Sequence, residues 1–284
     1  MRPGYAHTAH GAMHYAEAGA GEALLLLHAN PRSHRYFRHM TPLLAPHFRA
    51  IAVDTPGFGN SHALPDPPSI GSIAGCFVQF LDALGIERAH VFGLHTGNKI
   101  AAALAAQWPS RVHSVVLAGQ THSLILDKAA RDQAIREIVQ HYFPQYGESA
   151  DGAHRVRRWA AVHAEVEELW WPQALRTAAM VRDSDIENAQ MHVIDYLQGW
   201  RSIEPAYRAI FSFDMEEALR RMEARALIVE LLTPHEMRLG EQAHKLRAVM
   251  KHARTAAIQG DGEILETRPR ELTEAVIRFL KSQD

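Results

Sequence analysis

The sequence predicts an α/β fold, with a mostly parallel sheet flanked by helices and a helical segment inserted late in the sheet. The first sign is that short apolar runs alternate with longer amphipathic segments, which is typical of a parallel sheet covered by helices. The second is that glycine-rich turns, such as residues 56–60 and 260–262, follow strand-like runs. The third is that the alternation stops between residues 120 and 213, where helix formers, tryptophan and histidine prevail.

The apolar runs have the length of strands, and the amphipathic segments have the length of helices. The predicted strands are residues 12–17, 23–28, 49–54, 90–94, 112–118, 226–232 and 253–259. The predicted helices are residues 36–45, 69–84, 98–108, 236–250 and 270–281.

The break in the alternation divides the chain into a core of residues 1–119 and 214–284 and an inserted helical cap of residues 120–213. A cap of this size is expected over the carboxyl edge of the sheet, where open α/β sheets bind ligands. The cap contains Trp159, Trp170, Trp171 and Trp200. We expect Trp170, Trp171 and Trp200 to line an apolar pocket, and the alternative is that they only hold the cap helices together.

Composition excludes several classes of partner. A net charge of -2 gives no field that would attract nucleic acid or an anionic membrane. The longest apolar run, residues 23–27, is far shorter than the roughly 20 residues that span a bilayer. Cys76 is the single cysteine, so no intramolecular disulfide forms, and with no secretory signal pattern at the start we expect a cytoplasmic protein.

Three stretches carry a family resemblance. Residues 25–31 read Leu-Leu-Leu-His-Ala-Asn-Pro, residues 53–61 read Val-Asp-Thr-Pro-Gly-Phe-Gly-Asn-Ser, and residues 90–97 read His-Val-Phe-Gly-Leu-His-Thr-Gly. In order and spacing they resemble the oxyanion turn, the Asp-x-Pro-Gly-x-Gly-x-Ser segment and the nucleophile elbow of the α/β-hydrolase family. The resemblance implies the α/β-hydrolase fold, with oxyanion-hole amides from Thr96 and from Ala29 or Asn30.

Two departures from the family pattern concern the chemistry. His95 stands at the elbow where the family has its nucleophile, between the glycines Gly93 and Gly97 that such a sharp turn requires. Glu263 stands where the family places its catalytic histidine. After the strand that ends near Leu232, Glu236 remains a candidate for the catalytic acid. The Ser-His-Asp mechanism therefore does not transfer to this chain.

We expect His95 and Glu263 to face each other as a dyad in which the carboxylate orients the imidazole as a general base. The predicted activity is cofactor-free hydrolysis or lyase-type cleavage of a small, partly apolar organic substrate. Direct attack by the imidazole, cofactor-independent oxygenation and non-catalytic ligand binding on the same fold are the alternatives.

Nineteen histidines raise the question of a metal site. His28, His122 and His235 are expected at the carboxyl edge of the sheet, where we predict that they contact substrate. With His95 they form the alternative, a metal site, but no H-E-x-x-H or comparable spacing supports it. We therefore predict no metal and no cofactor, and a homodimer is compatible with the sequence.

Overall fold

The structure is a computed structural model of the chain. It describes residues 1–119, 133, 136, 151–153, 156, 183–237, 243–250, 252–260 and 263–282. The predicted boundaries of the cap, 120 and 213, enclose most of the residues outside this description, so the cap as a domain remains a prediction.

The described strands form one eight-stranded sheet in the order β1-β2-β4-β3-β5-β6-β7-β8. The first two pairings, β1 with β2 and β2 with β4, are antiparallel, and all the others are parallel. The strands are β1 Arg2–Thr8, β2 Gly11–Ala18, β3 Ala23–Leu27, β4 Arg49–Val53, β5 Ala89–Leu94, β6 Val112–Ala118, β7 Arg225–Leu232 and β8 Arg254–Gln259.

Helices connect the parallel strands and cover both faces of the sheet. In the described residues they are α1 Met40–Leu44, α2 Ile70–Ala83, α3 Thr96–Gln107, α4 Asp183–Ser212, α5 Met215–Arg221, α6 Pro234–Met237, α7 Ala243–Val249, α8 Ile264–Thr267 and α9 Pro269–Lys281. Two short 3₁₀ helices lie at His34–Phe37 and Pro109–Arg111.

The predicted fold class is confirmed, and each of the seven predicted strands ends within one residue of an observed strand. The strand β1 was missed because only Ala6 is buried on it, so it shows no apolar pattern. The predicted helix 36–45 is a 3₁₀ turn followed by α1. The predicted helix 236–250 is two helices, α6 and α7, on either side of residues 238–242, which lie outside the described residues.

Alternation along the central strands divides the core between the two faces of the sheet. On β3, Leu25 and Leu27 belong to the cluster under α2 and α3, whereas Leu24 and Leu26 belong to the cluster under α1 and α9. All four side chains are fully buried. Because parallel strands are covered on both faces, their runs are continuously apolar, and this burial holds the carboxyl ends of β3, β5, β6, β7 and β8 at one rigid edge.

The helix α4 packs against the loop that follows β4. Phe58 of that loop forms an apolar cluster with Ile203 and Ala206 of α4, and Trp200 packs against it. Asp195 of α4 also pairs with Arg35. These contacts anchor α4 beside the carboxyl edge of the sheet. Among the described residues, no helix combines the length and the apolar character that crossing a bilayer requires.

Candidate active site

The strand β5 ends in a sharp turn that leads into α3, with His95 at its tip. His95 has φ 49° and ψ -101°, and it is the single non-glycine residue with positive φ among the residues described. A side chain at Gly93 would clash with the backbone of Gly97, and one at Gly97 would clash with the carbonyl of Leu27. Glycine at both positions therefore permits the turn, and histidine tolerates a left-handed φ better than most residues do.

The His95 imidazole makes a short contact with a carboxylate across the end of β6. His95 Nε2 lies 2.6 Å from Glu236 Oε1, and the two side chains are 27% and 6% exposed. The ring passes over Gly119, the residue after β6, where a Cβ atom would lie 3.0 Å from Nε2. Because Gly119 has no side chain, the His95 ring, which follows β5, can cross it and reach Glu236, which follows β7.

Glu236 is positioned by the turn that follows β7. The Thr233 hydroxyl accepts the Glu236 backbone N–H at 3.2 Å, as an N-cap residue does. Pro234 occupies the first position of α6, where a missing N–H costs no hydrogen bond. The short helix α6 therefore begins at a defined point and brings the fourth residue after β7 toward the elbow.

Backbone amides flank the elbow on the side of β3. Among the residues described, the amides of Ala29 and Thr96 donate no hydrogen bond to the protein. The Asn30 amide donates to the Thr96 hydroxyl at 3.3 Å. Of the three expected oxyanion-hole donors, Ala29 and Thr96 thus have an N–H available for a ligand, and Asn30 instead ties its turn to α3.

The structure brings Glu236, and not Glu263, into contact with His95. Glu263 is bound by the Arg32 guanidinium through two hydrogen bonds of 3.0 and 3.1 Å. His192 of α4 places Nε2 3.9 Å from the Glu263 carboxylate. In the structure the carboxylate that contacts His95 therefore follows β7, and the carboxylate after β8, which the sequence analysis placed opposite His95, belongs to a separate pair.

This second pair has a buried surrounding. The Arg32 guanidinium lies over the Tyr36 ring, 4.6 Å from its centroid. Burial, followed by the charge of Glu263, raises the pKa of Tyr36 well above its usual value. Burial and the charge of Arg32 lower the pKa of His192 well below its usual value. Tyr36 and His192 are therefore both neutral around pH 7, and Arg32 and Glu263 compensate each other.

Of the other residues expected to contact substrate, the structure describes the side chains of His28 and Trp200. His28 is fully buried, its Nε2 accepts the Thr55 amide at 3.0 Å and its Nδ1 is 2.9 Å from the Ala29 carbonyl. These contacts give His28 a structural role in joining the turns after β3 and β4. Trp200 packs in the Phe58 cluster with Arg201 over its ring. His122, Trp159, Trp170, Trp171 and the side chain of His235 lie outside the described residues.

A second cluster of histidine and carboxylate lies after β4, at the same carboxyl edge of the sheet. His14 Nδ1 is 2.8 Å and His34 Nδ1 is 2.9 Å from the two oxygens of Asp54. The amides of His34 and Asn60 also donate to this carboxylate. It is the one group of three potential metal ligands among the described residues, yet each ligand atom is already engaged in a hydrogen bond.

Other nucleophilic side chains have structural partners. Ser61 Oγ donates to the Asp54 carbonyl and accepts the His14 amide. Ser33 Oγ accepts the Arg35 amide from a fully buried position. Burial raises the pKa of the Cys76 thiol to about 11, so it is protonated at neutral pH.

Comparison with known proteins identifies the family of the chain. A family model described as alpha/beta hydrolase fold matches residues 22–211. This is more than half of the chain, so the protein belongs to the α/β-hydrolase fold family.

Curated relatives match a shorter segment. A 2-hydroxy-6-oxo-6-phenylhexa-2,4-dienoate hydrolase of Comamonas testosteroni is 35% identical over 112 residues, which are 38% of this chain and 39% of the relative. Haloalkane dehalogenase 2 of Mycobacterium bovis is 34% identical over 115 residues, 39% of each protein. The match thus spans about two fifths of the length of these relatives.

Solved structures match nearly the whole chain. A hydrolase from Pseudomonas aeruginosa PA01 superposes with a TM-score of 0.76 at 22% identity, covering 99% of this chain and 98% of its own. The enol-lactonase of Burkholderia xenovorans LB400 gives 0.71 at 20% identity, covering 98% and 100%. At this identity the likeness supports the fold.

Sequence reasoning missed three contributors to the site, namely Arg32, Gly119 and His192. Arg32 carried a usable signal, since it follows the turn after β3 and lies at the same sheet edge as the acidic loop that contains Glu263. Gly119 directly follows a predicted strand, where a glycine often marks a close approach. No sequence pattern singled out His192.

Proposed function

We propose that this protein is an enzyme in which His95, oriented by Glu236, acts as the general base in cofactor-free hydrolysis of a small organic substrate at an activated carbonyl group. The observation that carries the proposal is the 2.6 Å contact between His95 Nε2 and Glu236 Oε1 at the tip of the elbow. A carboxylate that accepts one imidazole N–H fixes the tautomer and makes the other nitrogen the better base.

The reactive atom in this arrangement is His95 Nδ1. Within the described residues, Nδ1 makes no hydrogen bond, whereas Nε2 is held by Glu236. A water beside Nδ1 gives up a proton to it as the water oxygen attacks the carbonyl carbon. The amides of Ala29 and Thr96 stabilise the negative charge that develops on the carbonyl oxygen. When the tetrahedral intermediate collapses, the imidazolium returns the proton to the leaving group.

The same base supports lyase-type cleavage, because Nδ1 can equally remove a proton from the substrate. Hydrolysis is our first choice since the similar proteins include a dienoate hydrolase and an enol-lactonase. The bond cleaved is therefore proposed to lie next to a carbonyl group.

The test is turnover of a panel of carbonyl substrates by two active-site variants. The panel contains 4-nitrophenyl esters, an enol-lactone and a 2-hydroxy-6-oxo-dienoate. His95→Ala should lower kcat by about 10²- to 10⁴-fold, the usual contribution of a general base. Glu236→Gln should lower it by about 10- to 100-fold, since the base remains but loses its orienting charge.

Two controls make the result specific. His10→Ala and Glu274→Gln alter exposed residues far along the chain from the elbow and should retain wild-type kcat. The double variant of His95 and Glu236 should be no slower than His95→Ala alone, because the two groups act as a unit. Wild-type kcat in His95→Ala would refute the base, and multiplicative losses would separate Glu236 from it. Binding of panel compounds without any turnover would favour the ligand-binding alternative.

A further inference from the structure

Lys99 is a buried cation one helical turn after the elbow. Its exposed fraction is 3%, and among the described residues it makes no hydrogen bond and no ion pair. The next six residues of α3, from Ile100 to Ala105, all belong to the apolar core. The proposed mechanism makes no use of this side chain.

A lone ammonium in such a place is strongly unfavourable for the folded chain, because burial removes most of its water and no carboxylate in the described part of the chain compensates it. Burial is the sole cause that lowers the pKa of Lys99 to about 8. The side chain therefore still carries its proton at neutral pH. A ligand that supplies a negative charge beside Lys99 would offset the free-energy cost of burying this ammonium.

Helix geometry directs Lys99 toward the substrate side of α3. Side chains three and four apart share a face, and they lean toward the helix N-terminus. Lys99 thus shares its face with Thr96, whose hydroxyl accepts the Asn30 amide at 3.3 Å. This face of α3 is therefore the one that meets the turn after β3, beside the proposed oxyanion amides.

A second polar group without a partner lies in that turn. Both the Oδ1 and the Nδ2 atoms of Asn30 are inaccessible to solvent and lack a hydrogen-bond partner in the described part of the chain. Buried carboxamides are nearly always satisfied, so a pair of unsatisfied atoms beside a site indicates a ligand group. Asn30 and Lys99 are thus two donors at the same end of α3.

We propose that Lys99 is the receptor for a carboxylate carried by the substrate, with Asn30 Nδ2 as a second donor to that carboxylate. The substrate is then a small organic acid whose carboxylate lies about one helical turn from the carbonyl that reacts beside His95. The identity of this acid as a substrate rests on the proposed function, whereas the anion site itself does not.

The test compares a matched pair of ligands that differ in charge alone. Benzoate and benzamide have the same shape, and calorimetric titration of each into the full chain measures binding without turnover. Wild type should bind benzoate at least tenfold more tightly than benzamide. Lys99→Met should remove this preference, because methionine keeps the length of the side chain without its charge. Lys281→Met, at an exposed lysine near the end of α9, should retain it.

A preference for benzoate that persists in Lys99→Met would overturn the proposal, as would equal or undetectable binding of both ligands to wild type.

A lysine of this kind could also form a Schiff base. Reduction with cyanoborohydride in the presence of phenylglyoxylate, followed by peptide mapping, tests this, and stoichiometric labelling of Lys99 would contradict the ion pair. Should Lys99→Met fail to fold, Asn30→Ala tests the site independently. We expect this variant to lose less benzoate affinity than Lys99→Met does. An unchanged benzoate affinity would refute the role of Asn30 as a second donor.

The two proposals fail separately. Benzoate discrimination in His95→Ala, together with wild-type turnover by that variant, would refute the general base and leave the anion site. Loss of turnover in His95→Ala, together with equal binding of benzoate and benzamide, would refute the anion site and leave the general base.

Discussion

Two clusters in this molecule use the same residue types, histidine and carboxylate, in opposite ways. At Asp54, one carboxylate accepts from the rings of His14 and His34 and from two backbone amides. At the elbow, Glu236 holds a single ring nitrogen of His95, and the imidazole stays 27% exposed. The Asp54 carboxylate thus has four donors within the protein, whereas one nitrogen of the His95 ring has no partner among the described residues.

The number of hydrogen bonds that are already made, more than the residue types, therefore separates a structural cluster from a reactive one. Buried polar groups whose hydrogen bonds are complete stabilise a unique packing. A ring nitrogen at a strained turn whose lone pair has no hydrogen-bond partner is available for chemistry. Burial raises the pKa of the Asp54 carboxyl group, but the hydrogen bonds from His14 and His34 together outweigh it and hold this pKa far below its usual range.

The largest expected effect is on stability, at the saturated cluster. Asp54→Asn replaces an acceptor of four donors by a neutral amide and should lower the free energy of unfolding by about 3 to 5 kcal/mol, the cost of breaking a buried pair. Since the folded pKa of Asp54 is depressed, its contribution should be full above about pH 3.8, the ordinary value, and should decrease progressively as the pH falls below it. Urea denaturation measures both. Asp82→Asn, which alters an exposed pair with Arg111, is the matched control and should change stability by about 1 kcal/mol at most.

Lys99 extends the contrast, since it is a buried charge that no ion pair within the described residues compensates. Its folded pKa of about 8 lies below the ordinary 10.5. The unfolded chain therefore binds more protons between these values, and wild-type stability should rise with pH across that window. Lys99→Met should be more stable than wild type by up to about 3 kcal/mol at pH 7, with the gain fading by about pH 10.5. Denaturation midpoints at several pH values check this, with Lys281→Met as a pH-independent control. A gain that does not fade would contradict the assigned cause.

The smallest expected change in stability is at the elbow. Glu236→Gln keeps an acceptor for His95 and should change the free energy of unfolding by about 1 kcal/mol or less, even though kcat falls as proposed. Denaturation of this variant beside Asp54→Asn makes the contrast direct. A stability loss in Glu236→Gln as large as that in Asp54→Asn would place the elbow pair with the structural clusters and break the comparison.

The sequence predicted the sheet well and the partners at its edge less well. Strands such as residues 112–118 are visible because full burial on two faces demands a continuous apolar run. The exposed strand β1 has no such demand and left no pattern. Whether Glu236 or Glu263 contacts His95 depends on where two short loops direct their side chains. In the structure Glu263 forms an ion pair with Arg32 instead. No periodicity records such a choice, because it is made between residues more than 200 positions apart in the chain.

The geometry at Gly119 fixes the regiochemistry of covalent modification. An unhindered histidine is alkylated mainly at its outer nitrogen, the one farther from the main chain. In His95 that nitrogen is turned over Gly119 and held by Glu236, so the lone pair left for an electrophile is on the inner one. An α-haloketone directed to this site would therefore form the Nδ1 adduct, an isomer that tandem mass spectra and ring-proton couplings distinguish from the common product.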